Sequence, residues 1–231
     1  GTGNVAFNYF NPDPAYGTSP NSTCRYLDLD GQSYAKVNDS GDYNQEKITV
    51  SAWIYPTRTQ SELQSIVSKD EHFEFHLNSQ RRLYWWWTNS SRNSETLTSN
   101  QQIPLNKWTH VAVTYKAGAQ RMYINGVLDN SSSFNNGLFD TPCDFYIGID
   151  TATSSANACG GVINGRRFTG KIDEVKIYAS ALGLAEIQAD MTRVHNCTLP
   201  PPIDHYRLEL ADNLGLTCQA ESMQIKACAD A

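Results

Sequence analysis

Residues 105–128, LNKWTHVAVTYKAGAQRMYINGVL, decide how the rest of the chain is read. Trp108 to Tyr115 is rich in β-branched and aromatic residues and reads as a strand, which the small, polar run Lys116 to Gln120 interrupts. Arg121 to Ile124 then leads into Asn125-Gly126, the pair that best tolerates the positive φ angles of a two-residue hairpin turn, and Val127-Leu128 resumes the apolar run. The stretch therefore predicts a three-strand antiparallel meander.

Around it the same grammar repeats. Cys24 to Asp30 alternates Tyr26, Asp28 and Asp30 against Arg25, Leu27 and Leu29. Tyr34 to Val37 makes a short strand, and Ile48 to Tyr55 a longer one stopped by Pro56. SIVSKD, HFEFHL and RLYWWWT follow, each short and bounded by polar residues, and Phe145 to Ile149 and Phe168 to Tyr178 come later. In the last of these, Ile172, Glu174 and Lys176 fall on one face and Asp173, Val175 and Ile177 on the other. Many short strands without intervening helices predict an all-β antiparallel sandwich. One short helix is expected over Leu184 to Met191, where Leu184, Ile187 and Met191 recur at helical spacing behind Ser180 as a cap.

The chain of 231 residues is 40% apolar, which suffices to bury one large sandwich, with or without a small extra piece. The net charge is -6, and Lys and Arg are scattered apart from Arg81-Arg82 and Arg166-Arg167, so no nucleic-acid footprint is expected. No apolar run is long enough to span a membrane, and the opening GTGNVAFNYF does not read as a signal peptide. Gly1-Thr2-Gly3-Asn4-Val5-Ala6 matches a relaxed dinucleotide fingerprint, but no strand precedes it and Pro12 and Pro14 prevent a helix after it. The six cysteines, Cys24, Cys143, Cys159, Cys197, Cys218 and Cys228, include no C-x-x-C pair. An even count without that motif suits disulfides in an oxidising compartment rather than zinc.

Two clusters invite a chemical reading. His72-Phe-Glu-Phe-His76 looks like a metal pair, but Phe73, Phe75 and Leu77 alternate as in a strand. Two imidazoles four strand residues apart start about 13 Å from each other, too far for one zinc ion. In Tyr84-Trp85-Trp86-Trp87, alternation sends Trp85 and Trp87 to one face and Tyr84 and Trp86 to the other, so one pair faces away from the core. An outward aromatic is a platform for a sugar ring, and Arg81, Arg82, Asn89 and Arg92 flank it with hydrogen-bond donors. The loop Thr88 to Ser94 is expected to wall one side of the groove. No E-x-D-x-x-E run or G-x-S-x-G elbow is present, so no catalytic residue is assigned and no enzyme is expected.

Taken in order, YLDLDGQSYAKV, ITVSAWIYP, IVSKD, FEFHL, LYWWWT, LNKWTHVAVTY, MYINGVL, FYIGID and FTGKIDEVKIYASAL resemble the strand pattern of laminin-G-like, concanavalin A-like jelly-roll domains. The resemblance divides the chain into a lead-in loop (1–23), the jelly roll (24–197), and a linker with the first strands of a following domain (198–231). The tail PPIDHYRLELADNLGLTCQAESMQIKACAD is similar to the segment that follows such a domain in mannose-sensitive haemagglutinin (MSHA) pilus biogenesis proteins of Gram-negative bacteria.

What the resemblance implies is a non-catalytic, extracellular adhesion module at a Gram-negative cell surface. Its partners would be a surface glycan or pilus components, with Tyr84, Trp86, Arg82, Asn89 and Arg92 at the ligand. A structural spacer in the pilus machinery and, less so, a glycoside hydrolase are the alternatives. It further implies the pairs Cys143–Cys159, Cys218–Cys228 and Cys24–Cys197, and a structural Ca²⁺ on Asp30 and Asp173, completed by carbonyls near Asp39 to Asp42. The alternative for Asp173 is a hydrogen bond to a neighbouring loop.

Overall fold

The structure, a computed structural model, describes residues 6–9, 25–39, 47–134, 136–152, 159–193, 205–210 and 223–228. Residues 1–195 and 196–231 form two compact units. The strands of the first unit are β1 (Ala6–Tyr9), β2 (Arg25–Asp30), β3 (Ala35–Val37), β4 (Ile48–Pro56), β5 (Gln64–Lys69), β6 (Phe73–Leu77), β7 (Arg82–Thr88), β8 (Ser94–Gln102), β9 (Thr109–Lys116), β10 (Ala119–Ile124), β11 (Val127–Ser132), β12 (Phe145–Ile147), β13 (Asp150–Ala152), β14 (Gly161–Ile163) and β15 (Thr169–Tyr178). Helix α1 (Leu184–Met191) follows. In the second unit β16 (His205–Leu210) pairs antiparallel with β17 (Met223–Cys228).

Two antiparallel sheets make the sandwich. One has the order β1-β2-β15-β4-β9-β10-β11 and the other β3-β12-β5-β6-β7-β8, with β13 and β14 as a separate pair. The meander stands as the sequence predicts: β10 pairs with both β9 and β11, and the reversal is made by Asn125 at φ 48 and Gly126 at φ 69. Both angles are those of a primed hairpin turn.

Period-two alternation puts Val50, Ala52, Ile54, Val111, Val113 and Tyr115 of one sheet against Phe73, Phe75, Leu77, Leu83, Trp85 and Trp87 of the other in a single core. The Trp87 indole N–H is satisfied there by Gln120 Oε1 at 3.1 Å.

Three local expectations are corrected. Ala6–Tyr9, placed in the lead-in loop, pairs with β2 as β1; four residues are too few to show a period. In β15 the alternation breaks at a bulge between Asp173 and Lys176, where Glu174 takes φ 50. The extra residue lets Ile172, Val175 and Ile177 all reach the core, which no unbroken strand allows. Ser180 does not cap α1. Gly183 is the N-cap, its N–H donating to Glu186 Oε2 at 2.7 Å, while the Ser180 carbonyl accepts from Thr49 Oγ1.

Cys143 and Cys159 form a disulfide with 5.2 Å between their Cα atoms. The pairings expected for Cys24, Cys197, Cys218 and Cys228 lie outside the described side chains.

Candidate functional site

The outer face of the six-stranded sheet carries what the core face does not. Register places Glu74 opposite Trp86 and His76 opposite Tyr84, with Ser68 and Ser65 beyond them on β5 and Thr96 and Thr98 on β8. Tyr84 and Trp86 are half-buried, whereas Trp85 and Trp87 are fully buried, so alternation divides the aromatic run as the sequence indicates. The His76 ring stacks on Tyr84 with centroids 6.4 Å apart, and its Nε2 lies 2.9 Å from Glu74 Oε2.

A wall rises over this face from a different part of the chain than the Thr88–Ser94 loop. It consists of β13 and a 3-10 turn, Asn164–Arg166. Asp150, fully buried, fastens it to the sheet: Oδ1 accepts from Ser68 Oγ (2.8 Å) and the Thr151 N–H (2.9 Å), and Oδ2 from Arg166 Nη1 (2.7 Å). The Gly160 N–H donates to Asp70 Oδ2 at 2.5 Å, and the Cys143–Cys159 bridge closes the segment that includes β12 and β13. Beneath it the buried Lys69 ammonium is met by Asp39 Oδ1 and by the carbonyls of Thr141 and Cys143, all at 2.7 to 2.8 Å.

The cavity between this wall and the sheet has a volume of about 250 Å³ and is lined by Asp70, Glu71, Glu74, Tyr84, Trp86 and Arg166, with Leu63 and Ala152 as its apolar residues. Burial, which outweighs the hydrogen bond from His76, pushes the Glu74 carboxyl up to about 7. Burial likewise raises Asp70 to about 6, with Glu71 and Asp150 adding like-charge repulsion. A larger opening, about 530 Å³, lies between Tyr26, Leu27, Ile147 and Val175. It is mainly a cleft between core aliphatics, and its Lys176 is held by Glu174 and Asp190.

Of the other residues proposed for the ligand, Arg82 shares the outer face but donates Nη1 to the carbonyls of Ser99 and Asn100, tying β7 to β8. Asn89 is buried and organises the β7–β8 turn: Nδ2 donates to Glu95, and Oδ1 accepts from the N–H groups of Ser91 and Asn93. The Arg92 guanidinium sits 4.2 Å from the Phe139 ring centroid. None of these three lines the cavity. Sequence reasoning missed Glu74, Asp150 and Arg166; the alternation of HFEFH does place Glu74 and His76 away from Phe73 and Phe75.

The expected calcium ligands do not fit one ion. Asp30 stands opposite Thr169, four residues from Asp173 on β15 and so about 13 Å away from it along the strand. Asp30 Oδ1 instead accepts the N–H groups of Gln32 and Ser33, and Asp173 Oδ1 accepts that of Glu174. Of the stretch Asp39 to Asp42, whose backbone carbonyls are expected to complete the shell, only Asp39 lies among the described residues, and its carboxylate is paired with Lys69. His72 and His76 do not converge either. His72 is buried beside Phe73, and burial, with Lys69 nearby, lowers it to about 3.

Glu74, His76 and Asp150 each offer a donor atom within 4.8 Å of the others, a mixture that zinc accepts. The Arg166 guanidinium already supplies the cation that Asp150 needs.

Several solved structures share the fold. Domain 4 of AbnA, a GH43 extracellular arabinanase from Geobacillus stearothermophilus solved with arabinotriose, is 23% identical, with a TM-score of 0.57 over 83% of this chain and 82% of that one. The botulinum neurotoxin serotype G binding domain is 16% identical, with a TM-score of 0.59 over 82% of this chain and 45% of that one. The binding domain of Paraclostridial mosquitocidal protein 1 is also 16% identical, at 0.57 over 81% and 45%. The chain thus spans under half the length of these two toxin domains. No curated protein matches it in sequence.

Residues 203–231 match a family described only as a domain of unknown function. Residues 29–188, well over half of the chain, match the concanavalin A-like lectin/glucanases superfamily, and the chain belongs to that superfamily.

Proposed function

We propose that the first unit is a non-catalytic glycan-binding module, with Tyr84 and Trp86 as the floor of the site and β13 and the 3-10 turn as its wall. The observation that carries this is the division of the Tyr84–Trp87 run. Two rings are spent on the core, and two are left half-exposed in a cavity rimmed by carboxylates and a guanidinium. Apolar faces beside convergent polar groups are what a sugar ring requires. Likeness to the arabinanase domain and the toxin binding domains supports the reading, since the first was solved with an arabinose oligomer.

Presentation outside the cell, in a pilus-associated surface protein, is the finer proposal. The Cys143–Cys159 bridge favours an oxidising compartment, and the resemblance of the tail to MSHA pilus biogenesis proteins supports the pilus. A stacking contact is worth only about 0.5 to 1.5 kcal/mol, so single sites bind weakly and many copies on a surface supply avidity. Hydrolysis is disfavoured because Asp150, within 4.8 Å of the Glu74–His76 pair, is sealed from solvent and held by Arg166, which counts against it as a nucleophile beside the raised acid.

Glycan-array binding by the wild type, Tyr84→Ala and Trp86→Ala tests the proposal, with circular dichroism to verify folding. Loss of binding in folded variants supports it. Normal binding by both variants returns the module to a spacer role, and release of reducing sugar by the wild type makes it an enzyme.

A further inference from the structure

The sign of the charge in the cavity restricts what sugar can enter. Asp70, Glu71 and Glu74 line it with a single cation, Arg166, and that guanidinium is engaged by Asp150 at 2.7 Å. Glu74 is more than nine-tenths buried; its Oε2 is held by His76, while its Oε1 accepts no hydrogen bond among the described residues. A carboxylate oxygen that opens onto the cavity can take a donor from whatever fills it, and a donor that brings positive charge is held the most strongly. The carboxylates also strain one another, because Asp150 and Asp70 both disfavour ionisation of Glu74. Glu71 holds its place at the rim in a left-handed backbone conformation, φ 59, which only the surrounding turn sustains.

Resting on the reading of this cavity as a sugar site, we propose that it takes an amino sugar with a free amine, the ring lying on Tyr84 and Trp86 and the ammonium donating to Glu74 Oε1. Two rings at alternate positions of one strand stand on the same face and offer apolar surface to a pyranose, and an ammonium beside them gains a cation–π contribution. A volume of about 250 Å³ is below the range usual for drug-sized ligands and fits one sugar unit rather than a buried oligomer. Sialylated or sulfated sugars meet three carboxylates and are repelled.

Calorimetric titration of the whole chain at pH 7 and low salt, with four probes, tests this. The probes are a glucosamine oligosaccharide, the N-acetylglucosamine oligosaccharide of equal length, sialyllactose and a lysine-rich peptide. The free amine is expected to bind at least about tenfold more tightly than its acetylated counterpart, an advantage of about 1.4 kcal/mol. That advantage should shrink as salt is added. Glu74→Gln and, independently, Glu71→Gln should narrow it, so the second variant decides if the first does not fold. Equal or tighter binding of the acetylated or sialylated probe overturns the amine preference and leaves the sugar reading standing. Binding of the peptide alone, or of no probe, overturns both.

Discussion

Asp190 of α1 accepts a hydrogen bond from Ser51 of β4 at 2.7 Å, across a sequence separation of 139 residues. Its other oxygen takes Lys176 Nζ at 2.8 Å and Tyr178 Oη at 2.6 Å, and His110 Nε2 stands 3.5 Å away. Burial alone would raise this carboxyl, but the donors from His110, Lys176, Tyr178 and Ser51 outweigh it and hold Asp190 well below the usual carboxylate range. One carboxylate thereby pins the helix to the seven-stranded sheet.

Asp190→Ala is expected to destabilise the module by about 3 to 5 kcal/mol, the usual cost of stranding the partners of a buried ion pair. The pH dependence follows from the sign of the shift. A depressed folded value means that the stability is fully present above the unfolded carboxyl value of about 3.9 and is lost as pH falls through the folded one. Urea denaturation from pH 7 down to pH 2 should therefore show a steeper acid loss in the wild type than in Asp190→Asn. Parallel curves would remove the network from the account of stability.

The tryptophan run predicts a sharp contrast between neighbours. Trp85 is fully buried against Phe73 and Phe75, with ring centroids 5.6 and 6.1 Å away, so Trp85→Ala should cost about 3 to 5 kcal/mol. Trp86, one residue along and on the opposite face, should cost under about 1.5 kcal/mol when replaced by Ala. Similar losses in thermal melts of the two variants would mean that Trp86 is packed as core.

These two cases mark what the sequence makes legible. The meander and the faces of β6 and β7 follow a strict period of two, so local sequence places Tyr84 and Trp86 outward and Asn125-Gly126 in the turn. The wall over the site is assembled by Asp150 reaching Ser68, 82 residues away, and a contact of that range leaves no local pattern. Nothing in the local sequence marks Lys69 or Asp190 as buried, because burial of an ion depends on its partners, which sequence does not place. The bulge at Glu174 shifts the register of β15 and defeats the alternation that works elsewhere, and Asn89, with the look of a loop donor, spends its hydrogen bonds inside its own turn.

Glu74 gives a pH dependence of opposite sign to that of Asp190. Its carboxyl rises from the ordinary value of about 4.5 to about 7, so between those values the folded protein holds a proton that the unfolded chain has released. Stability from this group is therefore full below about pH 4.5 and declines as pH rises towards 7. Glu74→Gln lacks the titration, so its advantage over the wild type should grow across that window and level off above it. Urea midpoints at pH 4.5, 5.5, 6.5 and 7.5 measure the difference; a gap that does not vary with pH would show that Glu74 is well solvated.

Calcium removal should leave the fold untouched if Asp30 and Asp173 act as their geometry indicates. A Ca²⁺ ion sits about 2.3 to 2.6 Å from each ligand oxygen, so two ligands of one ion lie within about 5 Å of each other. The separation of about 13 Å implied by the Asp30–Thr169 register exceeds that by far. Asp30 is instead a turn residue, its carboxylate held below the ordinary range by the N–H groups of Gln32 and Ser33. Asp30→Ala should cost about 1 kcal/mol, Asp30→Asn much less, because the amide oxygen keeps the turn. The effects of Asp30→Ala and Asp173→Ala should add, as they do for sites about 13 Å apart. Thermal melts with and without a chelator should coincide; a lower melting temperature in chelator, together with one equivalent of calcium by elemental analysis, would overturn this and place an ion on a different ligand set.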